Sequence, residues 1–391
     1  MTKVGIITFH NNENRGAILQ GYSLCRALKQ TLSANVDIIE YRTASKERLR
    51  RNKLILNKRP WTISTRLKDR HIVENFINSK LPTSTKSLVT DDHKQAVAWI
   101  EEQNYDVLVT GSDEVWKVIS EGSGGAFSRF FPNRPFPNLY LLDPEISATK
   151  VAYAASANKT DLDRLESETK NTLQAHISAY DFVSVRDRHT ERLVNSLGIE
   201  DVHRVPDPTL LIDLPKGDAA TILTENGIDL DKPILGIHSH EMSPFDSICE
   251  HYRERGYQIV APATSPYADL ELVGKVDPFE YFAMYEHFDM VVTTSLHSTI
   301  FSLKNRTPFV TIDVDSIYAE LESKTYSLLE DFSFSERHIN AVNGNYTGLI
   351  DRVEKLERSL DEDHIENCIE EQQERGIEFL EQIQVTHGVH N

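Results

Sequence analysis

Cysteine is scarce. Cys25, Cys249 and Cys368 are scattered through 391 residues and form no CxxC pair, which excludes a disulfide framework and a cysteine zinc site. Long apolar runs are missing too. None approaches the roughly 20 residues that span a bilayer, and the opening MTKVGIITFH is too short and lacks a cleavage site for a signal peptide. Neither GxGxxG nor GxxxxGK[ST] occurs, so neither a dinucleotide fingerprint nor a P-loop is present, and there is no GxSxG elbow. Basic residues are outnumbered, 42 against 60 acidic, for a net charge of −18, which argues against nucleic acid or an anionic membrane as main partner. A soluble, reduced, cytoplasmic protein is expected.

What is present is alternation. KVGIITF, VDIIEY, YDVLVTGSD, KVAYAAS, FVSVRD and HRVPDPTLLI read as strands of a first unit, separated by helical segments. The first of these helices places Ile18, Tyr22, Cys25 and Leu28 at three- and four-residue spacing. A second unit repeats the pattern with PILGIHSH, YQIVAPA, DMVVTTS and PFVTIDV as strands, and DPFEYFAMYEHF as a helix announced by Asp-Pro. Short apolar strands alternating with helices imply parallel sheets covered on both faces. The expected fold is therefore α/β, with two doubly wound, Rossmann-like domains facing across a cleft and C-terminal helices after them. The boundaries expected are 1–212, 213–345 and a helical segment 346–391. Residues 120–138 read as a Gly- and Pro-rich loop. Residues 43–80 are locally basic and read as a solvated face, with weak peripheral contact to lipid headgroups or an anionic glycan as the other reading.

Ligands of open α/β sheets bind beyond the carboxyl ends of the strands. After the first strand come Asn14, Arg15 and Gly16 at a helix start, either a capped turn or an anion or sugar site. After YDVLVT come Gly111, Ser112 and Asp113, with Trp116 placed to stack on a sugar or to anchor the loop; Asp113 is a helix cap or a catalytic carboxylate. Arg186 ends FVSV, where a guanidinium can hold carboxylate or phosphate in a two-pronged bond. Asp207 lies between two prolines, a place read first as rigid backbone and second as a catalytic acid. His238 and His240 with Glu241 make half of a metal site, but no further ligand is evident, so no metal is expected. In VVTTSLHSTIF, Thr294 or Ser295 caps a helix and His297 falls in its first turn, either as a structural histidine or in place to meet an anion or carry a proton.

Taken in order, these segments resemble the polysaccharide pyruvyl transferase family. NRGAILQGYSLCRAL, YDVLVTGSDEVW, FVSVRDRHTERLV, RVPDPTLLI and TTSLHSTIFSLKNRTPFV are similar to its successive motifs, over roughly residues 3–345. The resemblance implies a two-domain architecture of the GT-B type, with the acceptor on the N-terminal side and the donor on the C-terminal side. It implies transfer of the enolpyruvyl carbons of phosphoenolpyruvate, as donor substrate and without a cofactor, to sugar hydroxyls of a glycan or glycolipid precursor, commonly as a ketal. By the same resemblance Arg186, Ser295, His297 and Ser298 would bind the donor, with His297 a candidate proton donor and Asp113 a candidate base. Asn14, Arg15, Gly16, Ser112, Trp116 and His238 would line the acceptor side or the cleft. The chain departs from the family at Ser295, where many members have arginine; Arg306, Lys304 and Lys324 are the candidate replacements for that cation. Ser298 likewise stands for a common glycine and Arg15 for a common tyrosine. A nucleotide-sugar glycosyltransferase of the same architecture and a non-catalytic glycan-binding protein stay open as alternatives.

Overall fold

The computed structural model describes residues 2–55, 62–118, 135–239, 244–262, 265, 267–319, 321–342, 344, 346–358 and 360–386. Most of the expected 120–138 loop, and His240 and Glu241 of the half metal site, lie outside the described residues. Seven strands form the first sheet: β1 (Lys3–Ile7), β2 (Asn35–Arg42), β3 (Thr83–Val89), β4 (Val107–Asp113), β5 (Thr149–Ala155), β6 (Phe182–Val185) and β7 (His203–Arg204). Six form the second: β8 (Ile234–His238), β9 (Gln258–Ala261), β10 (Leu270–Glu271), β11 (Met290–Thr293), β12 (Phe309–Asp313) and β13 (His338–Asn340). The helices are α1 (Arg15–Leu32), α2 (Ala44–Ile55), α3 (Thr62–Lys80), α4 (His93–Glu101), α5 (Ser167–Ile177), α6 (Arg188–Ser196) and α7 (Ala219–Glu225). They continue with α8 (Phe245–Glu254), α9 (Pro278–Ala283), α10 (Leu296–Lys304), α11 (Lys324–Asp331), α12 (Leu349–Glu354) and α13 (Glu362–Thr386).

All described strand pairs are parallel, in the orders β3-β2-β1-β4-β5-β6-β7 and β10-β9-β8-β11-β12-β13. In each sheet the strand order reverses once, between β1 and β4 and between β8 and β11. Those two reversals open a crevice at the carboxyl ends of the strands, the place where doubly wound sheets take ligands. The central strands are buried on both faces because Val, Ile and Leu fill them, as in VLV of β4 and MVVT of β11.

The segment HRVPDPTLLI departs from the strand expected of it. Only His203 and Arg204 pair, and Pro208–Leu210 form a 3-10 turn capped by Asp207. Pro206 and Pro208 have no N–H to give to a ladder, so the strand stops at the first of them. The described residues of the basic segment 43–80 include α2 and α3, whereas β3, β10 and β13 are edge strands with little apolar periodicity to reveal them, the last two only 2 and 3 residues long.

The two domains share apolar packing. Tyr22 of α1 meets Phe279 of α9 edge-on at 5.2 Å, and Phe76 of α3 meets the same ring at 4.7 Å. Phe379 of α13 returns to the first domain, its ring 6.0 Å from Tyr153 of β5 and 5.5 Å from His203. Arg15 adds a buried polar bridge: its guanidinium donates to Asp69 of α3 and to the Val276 carbonyl, while Asp69 also accepts from Gly274 N–H. Among the described residues no helix is long and apolar enough to cross a membrane.

Candidate functional site

A cavity of about 630 Å³ lies between the two sheets, at the facing carboxyl ends of their strands. Its walls include Asn14 and Arg15, Asp113 and Glu114, His238, Ser295 and His297, and Lys324. The volume is in the range of small-molecule sites.

Local chain geometry aims the first domain's contribution. Gly111 in β4 has φ +121°, and a Cβ there would lie 2.1 Å from the Tyr153 carbonyl oxygen, so only glycine fits. Two residues on, Asp113 is held at φ 83°, a left-handed conformation unusual for a residue with a side chain, and its carboxylate reaches the cavity. Asn14 caps α1 by accepting from Ala17 N–H at 3.3 Å, so this helix start is closed by its own side chain.

The second domain contributes the start of α10. Ser295 caps it by position, but its side chain makes no capping hydrogen bond; its N–H donates to Thr293 Oγ1 at 2.9 Å. The N–H groups of the first turn therefore face the cavity with the positive end of the helix. His297 sits in that turn, only 8% exposed. Its Nε2 lies 3.7 Å from Asp207 Oδ2 and makes no hydrogen bond within the described residues.

Asp207 is the centre of the buried layer beneath the cavity. Its Oδ2 accepts from Gln20 Nε2 at 2.6 Å and from Arg186 Nη1 at 3.0 Å, and its Oδ1 from Thr209. Arg186 Nη2 is 4.0 Å from Asp113 Oδ1, and neither that atom nor Nε is hydrogen-bonded among the described residues. Burial lowers the His297 pKa; Asp207 and Asp113 pull the other way without restoring it. Burial would raise the Asp207 carboxyl, but His297, Arg186 and the bonds from Thr209 hold it below the ordinary range. Burial likewise works against the Arg186 charge, and Asp207 followed by Asp113 outweighs it. An ionised Asp207–Arg186 pair beneath the His297 ring is the resulting arrangement.

Lys324, at the first position of α11, reaches across the cleft to Glu114 Oε1 at 3.0 Å, and Lys117 Nζ approaches Glu114 Oε2 at 3.1 Å. Burial would raise the Glu114 carboxyl, but Lys324 and Lys117 keep it far below its ordinary range. Lys159 pairs with Asp315 across the same gap. Of the three candidate substitutes for the missing arginine, Lys324 alone lines the cavity. Lys304 donates to the Ile212 carbonyl, and Arg306 is paired on the surface with Glu362 and Glu366.

Other sequence candidates sit elsewhere. Trp116 does not line the cleft: it is 1% exposed and packs edge-on against Tyr180, because the loop after β4 turns its indole into the first domain's core. Ser112 is fully buried, its carbonyl accepting from Thr8. Ser298 faces inward from the first turn of α10 and is also fully buried. Its Oγ bonds His238 Nδ1 at 2.6 Å and accepts from Tyr285 Oη at 2.7 Å, so it orients His238 in the cavity wall without lining it. Gly16 meets the cavity only through His297, which packs against its Cα. The guanidinium of Arg15 turns away into the Asp69 bridge. Glu114, Lys117, Lys159, Asp313 and Asp315 line the cavity and stand outside the residues singled out from sequence. Asp313 and Asp315 end or follow a strand, which is the signal that finds them.

Residues 14–316 match the polysaccharide pyruvyl transferase family. No curated protein matches the chain. Among solved structures, the UDP-GlcNAc 2-epimerase from Methanocaldococcus jannaschii is similar at 12% identity and a TM-score of 0.53, covering 94% of this chain and 98% of that one. The same organism's enzyme in complex with UDP-GlcNAc and UDP is similar at 14% identity and a TM-score of 0.52, covering 94% and 99%. A further UDP-N-acetylglucosamine 2-epimerase is similar at 9% identity and a TM-score of 0.54, covering 100% and 97%. At such identities the likeness concerns the fold, which is of the GT-B type.

Proposed function

Because this chain belongs to the polysaccharide pyruvyl transferase family, we propose that it moves the enolpyruvyl carbons of phosphoenolpyruvate onto sugar hydroxyls as a ketal, in the building of a cell-surface glycan. The observation that carries the reading is the meeting of hydrogen-bond donors in one cleft. The first turn of α10, His297 and Lys324 line it, and Arg186 lies in the buried layer behind Asp113, with Nε and Nη2 making no hydrogen bond among the described residues. A small dianion or trianion with carboxylate and phosphate groups suits that set. Lys324 supplies the cation that Ser295 does not.

The chemistry follows from the charges. Protonation of the methylene carbon leaves an oxocarbenium-like centre at the phosphate-bearing carbon. A sugar hydroxyl oxygen adds there, its C–O bond forms, and the bond to the phosphate oxygen breaks. A second hydroxyl closes the ketal. Of the two hydroxyl protons, one balances the new methyl group and the other leaves with phosphate. His297, donating once protonated beside the bound anion, is the proposed acid, and Asp113 the proposed base. Arg186 and the α10 N–H groups would hold the departing charge.

The acceptor is proposed to enter through a neighbouring cavity of about 570 Å³, which shares Glu13 with the cleft. Phe9 gives it a partly exposed aromatic ring, backed by the buried Tyr140 with centroids 4.5 Å apart, suited to the apolar face of a sugar ring. The reading places the protein in the cytoplasm, where phosphoenolpyruvate is formed.

The test is incubation with phosphoenolpyruvate and a panel of glycosides. Phosphate release matched by a pyruvate mass gain on the sugar supports the reading. Stabilisation by UDP or GDP, with no response to phosphoenolpyruvate, would replace it with nucleotide-sugar transfer.

A further inference from the structure

Away from the cleft, the tertiary structure brings together three side chains with metal-ligand chemistry that are far apart in the sequence. His93 opens α4, Asp143 lies in the segment before β5, and His176 is near the end of α5. One ligand atom from each falls within 4.8 Å of the others. None of the three lines either cavity described above.

Each ligand is set by its surroundings. The His176 Nδ1 lies 3.1 Å from the Leu142 carbonyl and 3.3 Å from that of Leu141. Carbonyls only accept, so Nδ1 carries the proton and Nε2 keeps its lone pair. A backbone carbonyl fixing the tautomer of a histidine in this way is the usual support of a metal-bound imidazole. Asp143 Oδ1 accepts from Glu145 N–H at 2.9 Å, which turns Oδ2 toward His93 Nε2 at 2.7 Å. The His93 and His176 rings have centroids 5.6 Å apart, and His93 Nδ1 is buried without a hydrogen-bond partner among the described residues. The His93–Asp143 ion pair accounts for two of these residues; His176, held by the Leu141 and Leu142 carbonyls, brings a third ligand atom beside them.

We propose that His93, Asp143 and His176 form a binding site for a divalent first-row transition ion such as Zn²⁺, with water completing the coordination. Two imidazole nitrogens and one carboxylate oxygen are a borderline donor set suited to that class of ion rather than to Ca²⁺ or Mg²⁺. Ligand bonds of about 2.0 Å place tetrahedral donors roughly 3.3 Å apart, so the ion would part His93 and Asp143 slightly and replace the proton now shared between them. The site joins the start of α4, the chain before β5 and the end of α5. Its role is to staple these elements, not to take part in the cleft chemistry.

The test uses the untagged full-length chain, stripped with a chelator, dialysed and titrated with Zn²⁺ and with Co²⁺. The expected result is one ion per chain, visible d–d absorption from Co²⁺ in a low-coordinate site, and a raised melting temperature. Asp143→Asn and His93→Gln should each weaken binding about 100-fold or more, beyond the 10–100-fold typical of losing a supporting contact. An unchanged far-UV spectrum serves as an independent check that these variants remain folded. If the stripped wild type takes up no ion at micromolar concentration, the proposal is overturned. Equal binding by wild type and both variants overturns it too, since the ion would then sit on other histidines.

Discussion

The imidazole of His297 fills the space that a side chain at Gly16 would need: a Cβ there would lie 2.4 Å from its Cγ and Nδ1. The first turn of α1 in one domain and the first turn of α10 in the other thus meet through the one residue type that leaves room for the ring.

Gly16→Ala tests that relationship. The new methyl cannot coexist with the buried ring, so His297 must turn or the helices must part, at a cost of about 1–3 kcal/mol of overpacking. Phosphoenolpyruvate affinity should fall at least tenfold while the far-UV spectrum is unchanged. An alanine variant with wild-type affinity in a calorimetric titration would show that His297 does not hold the donor.

Asp207 and Arg186 are both buried and bonded to each other. Asp207→Asn should cost about 3–5 kcal/mol in urea unfolding, because the buried Arg186 loses its hydrogen-bonded countercharge and keeps Asp113 only at 4.0 Å. The double variant with Arg186→Met should recover much of that loss while remaining unable to bind phosphoenolpyruvate. Equal stability of single and double variants would mean that the pair is not coupled.

Burial lowers the His297 pKa below its unfolded value of about 6.5. The unfolded chain then binds the proton more readily, so the neutral ring's contribution to stability is present above that value. It is lost as pH falls through 6.5 toward the folded pKa. His297→Gln should flatten this part of the stability profile. Donor binding has the opposite sign: an anion beside the ring favours the imidazolium, so phosphoenolpyruvate should bind with proton uptake and more tightly as pH falls from 8 toward 6. Calorimetry in buffers of different ionisation enthalpy measures the uptake directly, and proton release would contradict the assignment.

Lys324→Met should weaken phosphoenolpyruvate binding roughly 10–100-fold, the scale of one hydrogen bond to a charged group. Arg306→Met should leave it unchanged, since that guanidinium is engaged on the surface with Glu362 and Glu366. The reverse ranking would move the replacement cation away from α11.

Much of the site was legible because strand ends are legible. Asp113, Arg186, His238 and His297 each follow a short run of apolar residues, and parallel sheets bring such positions to one edge. Direction was harder to read. Trp116 follows the right strand and Ser298 stands in the right helix turn, yet both face inward, because a side chain's heading depends on what packs against its segment. Asp207 looked like rigid backbone from its flanking prolines; its role as the shared partner of Gln20, Arg186 and His297 arises from the approach of three separate elements.

The alternation of strand and helix, hence two parallel sheets, and the motif order that marks the family are written in the residues alone. Periodicity and chain order are local properties, and they survive without coordinates. Which groups meet is set by the folded chain: Lys324 rather than Arg306 or Lys304 at the cleft, Gly16 under His297, and His93, Asp143 and His176 in one cluster. Those contacts join residues that are distant along the chain, where no local pattern records them, and electrostatics and packing depend on distances in ångströms rather than on positions in sequence.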